Sequence, residues 1–155
     1  MGDDSGADGR FPQGTTCGAA LDVRGGLELR IAPSDTSTAC VTAVSFGSGF
    51  MASFLFVDSN LSHVEVEVED VIEGETGENF PAQLGIVHDD GREWIGANCV
   101  ADIAEHEYVA PAELGWKSYR VSGSIECTTA ATVAESALED LDLRSFAFVA
   151  TIHWG

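Results

Sequence analysis

Residues 63–69 read His63-Val64-Glu65-Val66-Glu67-Val68-Glu69. Strict alternation of apolar and charged side chains has the period of a β-strand, because successive side chains of an extended chain point to opposite faces. A helix would scatter the three valines around its circumference. The segment therefore predicts a strand with one buried face and one face of glutamates. The rest of the chain follows the same grammar. Short apolar runs recur between Gly, Asp, Asn and Pro, giving candidate strands at 15–23, 26–32, 39–46, 49–57, 62–72, 82–88, 92–103, 117–127 and 143–154. Arg24-Gly25-Gly26-Leu27 and Asp89-Asp90-Gly91-Arg92 have the composition of hairpin turns, where glycine supplies a positive φ. The run from Phe50 to Val57 is apolar nearly throughout, which predicts a central strand covered on both faces.

Helix is scarce. Thr132-Val133-Ala134-Glu135 has the form of a capping box and makes 132–141 a candidate short helix. Pro111-Ala112-Glu113-Leu114-Gly115 has the proline-first, glycine-last order of a single helical turn. A length of 155 residues fits one domain. Together these features predict an all-β, single-domain antiparallel β-sandwich of Greek-key or jelly-roll type, with about eight or nine strands and little helix. Residues 1–14 are expected to form a flexible acidic tether and residues 15–155 the sandwich.

Charge narrows the partners. Lys plus Arg total 7 against 26 Asp plus Glu, a formal charge of −19. Between Arg30 and Arg92 the chain carries no Lys or Arg at all. Nucleic acid is excluded, since phosphate binding needs clustered Lys and Arg. Anionic lipid is disfavoured for the same reason. No run reaches the roughly 18 apolar residues that a membrane-spanning helix needs. Acidic strands also oppose edge-to-edge association, so a monomer is expected.

Cys17, Cys40, Cys99 and Cys127 include no C-x-x-C pair, which excludes a zinc ribbon or a thioredoxin motif by spacing. An even count points to two disulfides and an extracytoplasmic location. Three connectivities are open. We favour Cys17–Cys40 and Cys99–Cys127, because the sequence midway between the latter pair contains Pro111 and Gly115 and reads as the connection of two antiparallel strands. The opening Gly2-Asp3-Asp4-Ser5-Gly6-Ala7-Asp8-Gly9 resembles the linker that follows the lipidated cysteine of bacterial lipoproteins. That resemblance implies a secreted chain or one lipid-tethered at a bacterial cell surface.

A search for catalytic motifs finds neither a G-x-S-x-G elbow nor an H-E-x-x-H metal motif, and Glu105-His106-Glu107 lacks a second histidine. His63, His88, His106 and His153 are each expected at a strand end or facing solvent. Two binding surfaces stand out instead. The segment 70–79 is acidic and punctuated by glycine, so Glu73, Glu75, Glu78 and Asn79 are candidate ligands for calcium, which takes six to eight oxygens (roughly) in flexible geometry. Trp94 and Trp116, with Asp90 and Arg92, are a candidate sugar platform, in which aromatic rings stack on pyranose faces and polar groups bond the hydroxyls. Glu65, Glu67 and Glu69 form an anionic stripe suited either to a cation or basic partner or to keeping a strand soluble. The functional expectation is a non-catalytic exported or surface-tethered binding or adhesion module, its partner an extracellular glycan or a surface protein, with calcium the one candidate cofactor. A structural subunit of a surface layer or fibre is the alternative, and a small hydrolase with a site assembled in three dimensions ranks third.

Overall fold

The computed structural model describes residue 11 and residues 15–25, 29–31, 38–45, 47–56, 61–88, 93–111, 117–127, 131–132 and 141–154. Ten strands fill these segments: β1 Gly18–Gly25, β2 Leu29–Ile31, β3 Thr38–Ser45, β4 Phe50–Phe56, β5 Leu61–Val68, β6 Gly77–His88, β7 Glu93–Pro111, β8 Lys117–Cys127, β9 Ala131–Thr132 and β10 Leu141–Trp154. The described residues contain no helix, and so none long and apolar enough to cross a membrane. Thr132, the first residue of the expected helix, belongs with Ala131 to the short strand β9, paired with Trp94 and Ile95, and Leu141, its last, begins β10. Residues 133–140 of that candidate helix and residues 112–115 of the candidate turn lie outside the described residues.

All ten strands belong to one sheet. Its path β10-β3-β4-β5-β6-β7-β8 returns to β10 through a β10–β8 ladder, so seven strands close into a barrel. Pairing is antiparallel except between β10 and β3, where Ile152, His153 and Trp154 run parallel to Ala43, Val44 and Ser45. Along one edge of β10 the partner changes. Residues up to Val149 pair with β1, and from Ile152 onward with β3. The Cys17–Cys40 disulfide joins β3 to the residue preceding β1, and so staples the barrel at this exchange. Cys99 and Cys127 are direct cross-strand partners in β7 and β8, with Cα atoms 4.1 Å apart and a disulfide between them. Both favoured pairings are present.

Alternation places the interior. Val64, Val66 and Val68 are fully buried, while Glu65 is exposed beside them. The barrel is filled by large rings. Phe54 packs against Phe146 and Phe148 at centroid separations of 5.9 and 6.2 Å, and Phe50 lies 6.1 Å from Phe148. The expectation that β4 is covered on both faces fails. Phe50, Ala52, Phe54 and Phe56 are buried, but Met51 is 57% and Leu55 41% exposed. A closed barrel has one interior, so a strand in its wall buries one face, whatever the composition of the other.

Two boundaries differ from the sequence reading for local reasons. The strand expected to run to 72 stops at Val68, because Asp70 adopts a left-handed φ of 67° that an extended strand does not accept. β7 continues to Pro111 rather than ending near 103. Its second half is rich in Asp, Glu and His, which reads as loop, yet it pairs with β8 from Cys99 to Pro111 through two register shifts. Of the expected tether, Phe11 lies close against Gly18 of β1. The other residues of 1–14 lie outside the described residues.

The capped end of the barrel as candidate functional site

The ends of β3, β5, β7 and β10 and the starts of β4, β6 and β8 meet at one end of the barrel. The β5–β6 loop, residues 69–76, folds over it. Val71 is fully buried, and its carbonyl accepts from the Gly49 amide at 2.7 Å. Burying a valine contributes about 1.5–3 kcal/mol, so the loop is anchored by an apolar plug. The Glu69 amide donates to the Pro81 carbonyl at 2.8 Å, which ties the loop base to β6.

Beneath the loop lies an aromatic cluster that sequence reasoning missed. His106 on β7 is buried, with its ring 5.0 Å from Tyr119 of β8 and 4.9 Å from Trp154 of β10. Trp154 also meets Phe50 at 6.4 Å and donates its indole N–H to the Gly47 carbonyl at 3.1 Å. Tyr108, opposite Tyr119 in the β7–β8 register, sets its ring 5.7 Å away, edge to face, and is 55% exposed. No local motif marks this set. The signal present was alternation of His106 with Tyr108, and it is legible only once β7 is known to extend that far.

The loop is tied to the cluster by polar contacts. The Tyr119 hydroxyl donates to Glu73 Oε2, and Lys117 Nζ stands 3.6 Å from the same oxygen. These contacts hold the Glu73 carboxyl below its usual range, the tyrosine hydrogen bond being the chief cause. The same bond pushes the Tyr119 hydroxyl up to about 12. The Gly74 amide donates to His106 Nε2 at 3.1 Å, and His106 Nδ1 lies 2.9 Å from the Glu75 carbonyl. Burial is the main reason that His106 titrates below its ordinary value. The expectation of a histidine at a strand end or facing solvent is therefore corrected for His106, which is buried within β7. His88 is buried as well, but it ends β6, as that expectation allows.

The calcium set does not gather. Glu73 is engaged by Tyr119 and Lys117, and Glu75 Oε1 accepts from the Ile72 amide of its own loop at 3.0 Å. Glu78 and Asn79 are not in the loop but on β6, where the backbone N–H of Asn79 donates to Asp102 Oδ1 at 3.0 Å. Among the described residues no three His, Cys, Asp or Glu side chains are grouped to hold a metal ion.

The sugar platform is corrected at its first residue. Trp94 is fully buried on β7, opposite the buried Ile86, so its ring faces the barrel interior and no pyranose can reach it. Asp90, Arg92 and Trp116 lie outside the described residues.

Glu65 and Glu67 stand on the outer wall of β4–β7, around a shallow groove of about 100 Å³ that also touches Met51, Gln83 and Glu93. Gly85 leaves the dip, with no atom within 4 Å of where a Cβ would sit. His63 Nε2 lies 3.4 Å from Glu65. Glutamates interleaved with Met51 and Leu55 keep this partly apolar wall hydrated. On the neighbouring wall, Glu105 accepts from Arg120 and Ser122, while Arg120 also donates to the Thr15 carbonyl at 2.8 Å. The arginine holds the Glu105 carboxyl below its usual range and binds the segment before β1 to the β7–β8 ladder.

Compared with known proteins, the chain matches no family model, no curated protein and no solved structure.

Proposed function

We propose that this chain is an exported, non-catalytic binding module that presents a ligand surface at the capped end of its barrel. The observation that carries the reading is Tyr108. Its ring is exposed yet backed edge-on by Tyr119, with the Glu73 carboxylate and the Lys117 ammonium at the rim of the same pair. A supported aromatic face beside paired acceptors and donors has the chemistry that recognises a pyranose, apolar on its face and hydroxylated at its edge. Two disulfides suit a chain working in an oxidising compartment. Secretion with lipid tethering and a glycan partner form one consistent proposal, in which the platform is Tyr108 rather than Trp94.

The test is a fluorescence titration of the full chain with soluble glucose, galactose and N-acetylglucosamine oligosaccharides. Trp154, which touches Tyr119, supplies the signal. Tyr108→Ala should weaken binding by about tenfold or more, or ~1.4 kcal/mol. It should leave the unfolding midpoint nearly unchanged, because the side chain is largely exposed. Native protein that binds none of these glycans, or unchanged affinity in the variant, removes the reading.

A further inference from the structure

His106 spends both ring nitrogens on the backbone of a single loop. Nε2 receives the Gly74 amide proton at 3.1 Å, and Nδ1 lies 2.9 Å from the Glu75 carbonyl oxygen. An amide N–H only donates and a carbonyl only accepts. The bridge therefore requires the neutral imidazole with its proton on Nδ1. A proton on Nε2 would set N–H against N–H. We propose that His106 is a proton-operated latch: its neutral ring clasps the loop tip, residues 72–76, onto the capped end, and protonation of Nε2 releases the tip. The latch stands on this geometry alone. Its consequence, control of the surface around Tyr108, rests on the function proposed above.

The surroundings decide the direction of the response. From the loop, Glu73 and Glu75 face the ring and favour the imidazolium. From β8, Tyr119 meets it edge-on, and Lys117 stands on Glu73. From β10, Trp154 covers one side, and the adjacent His153 is bonded to Ser118. On β7 itself Glu105 turns outward to Arg120, Glu107 is exposed, and Tyr108 stacks on Tyr119. The β3–β4 turn brings backbone of Gly47 and Gly49 and no titratable group among its described residues. Glu73 and Glu75 already hold partners, and burial of the ring outweighs their attraction.

The neutral form is thus favoured in the folded state relative to the unfolded one. The clasp is at full strength above the ordinary histidine value of 6.5 and weakens as pH falls below it. Val71 stays seated and bonded to Gly49, so it marks the hinge, and Gly74, with φ at +83°, lies within the segment that moves. A released tip carries Glu73 away from Tyr119 and Lys117, opening the Tyr119 ring beside Tyr108.

The test is nitrogen NMR of the full ¹⁵N-labelled chain with amide exchange at Gly74. The ring nitrogens should report the Nδ1–H tautomer near neutral pH. Between about pH 7.5 and about pH 5, the protection of the Gly74 amide, corrected for its intrinsic exchange rate, should fall by about tenfold or more. His106→Gln keeps a donor and an acceptor without titrating, so its Gly74 protection should not change with pH. An Nε2–H tautomer at neutral pH, equal protection at both pH values, or the same loss in His106→Gln would overturn the latch. Should the variant fail to fold, the tautomer and exchange of the native chain still decide. None of these readouts uses a glycan, so a failed titration at Tyr108 leaves the latch standing, and the reverse.

Discussion

Gly123 sits where β8 passes beneath an irregularity of β7. It pairs with Ile103, next to the shift in register between Ile103 and Glu105. A Cβ at this position would stand 2.3 Å from the Asp102 carbonyl oxygen, closer than any side chain is tolerated. Backbone, not a flexible side chain, is the obstacle, so relief means moving a strand. Gly123→Ala should therefore destabilise the fold by about 1–3 kcal/mol, where an exposed strand glycine would gain from the same change. Urea unfolding of the two chains checks this, and a variant as stable as the parent would show that the approach is relaxed in solution. Gly49 has the related constraint that its φ is +78° and a Cβ would lie 2.7 Å from the Val68 carbonyl, which fits its place beside the plug residue Val71.

At the scale of elements, the disulfides and the cap divide the work of holding the barrel. Cys99–Cys127 ties the two strands with the longest shared ladder, close to the point where the second edge of β7 passes from β9 to β8. Cys17–Cys40 does the same where β10 passes from β1 to β3. Each bond thus secures a place where one strand hands its edge to another and where hydrogen bonding alone leaves a seam. With sequence separations of 23 and 28, each removes unfolded-chain entropy worth about 3–4 kcal/mol. Replacing Cys99 and Cys127 together by Ala should lower stability by about that amount without changing the barrel, since the ladder on both sides persists. A calorimetric scan measures the first part and amide exchange along β7 and β8 the second. A double variant as stable as the native chain would mean that the ladder alone holds the seam. The Cys99–Cys127 pairing was legible because a cross-strand disulfide needs only two strands flanking one connection, and Cys17–Cys40 is the pair that this leaves. The cap was not, since its contacts run between Glu73 and Tyr119 and between Gly74 and His106, residues far apart in sequence.

For the whole molecule, the net charge is −19, and among the described residues several carboxylates are exposed while others, such as Glu75 and Glu105, hold partners within the protein. Self-repulsion of that size lowers the stability of the compact state and is screened by any salt, with a Debye length of about 10 Å at 0.1 M. The unfolding midpoint should rise with ionic strength and, at matched ionic strength, respond alike to calcium and magnesium. The described carboxylates form no grouped metal set, so a calcium-selective rise would require ligands from elsewhere in the chain. Thermal unfolding with calcium, magnesium or chelator distinguishes the two outcomes.

The sequence by itself determined that the chain is all-β and which face of β5 is buried, and it favoured the cysteine pairing that is found. Strand period and the pairing of Cys99 with Cys127 depend on residues two apart or on neighbours across one connection, and local spacing carries both. Only the tertiary structure decided that the strands close into a barrel, that Met51 and Leu55 face outward, and that Trp94 is core. Closure is set by which distant edges meet, here β10 with both β8 and β3, and composition does not encode that choice. The clustering of His106, Tyr108, Tyr119, Trp154 and Glu73 at one end follows from the same closure, because it alone brings β5, β7, β8 and β10 to a common rim.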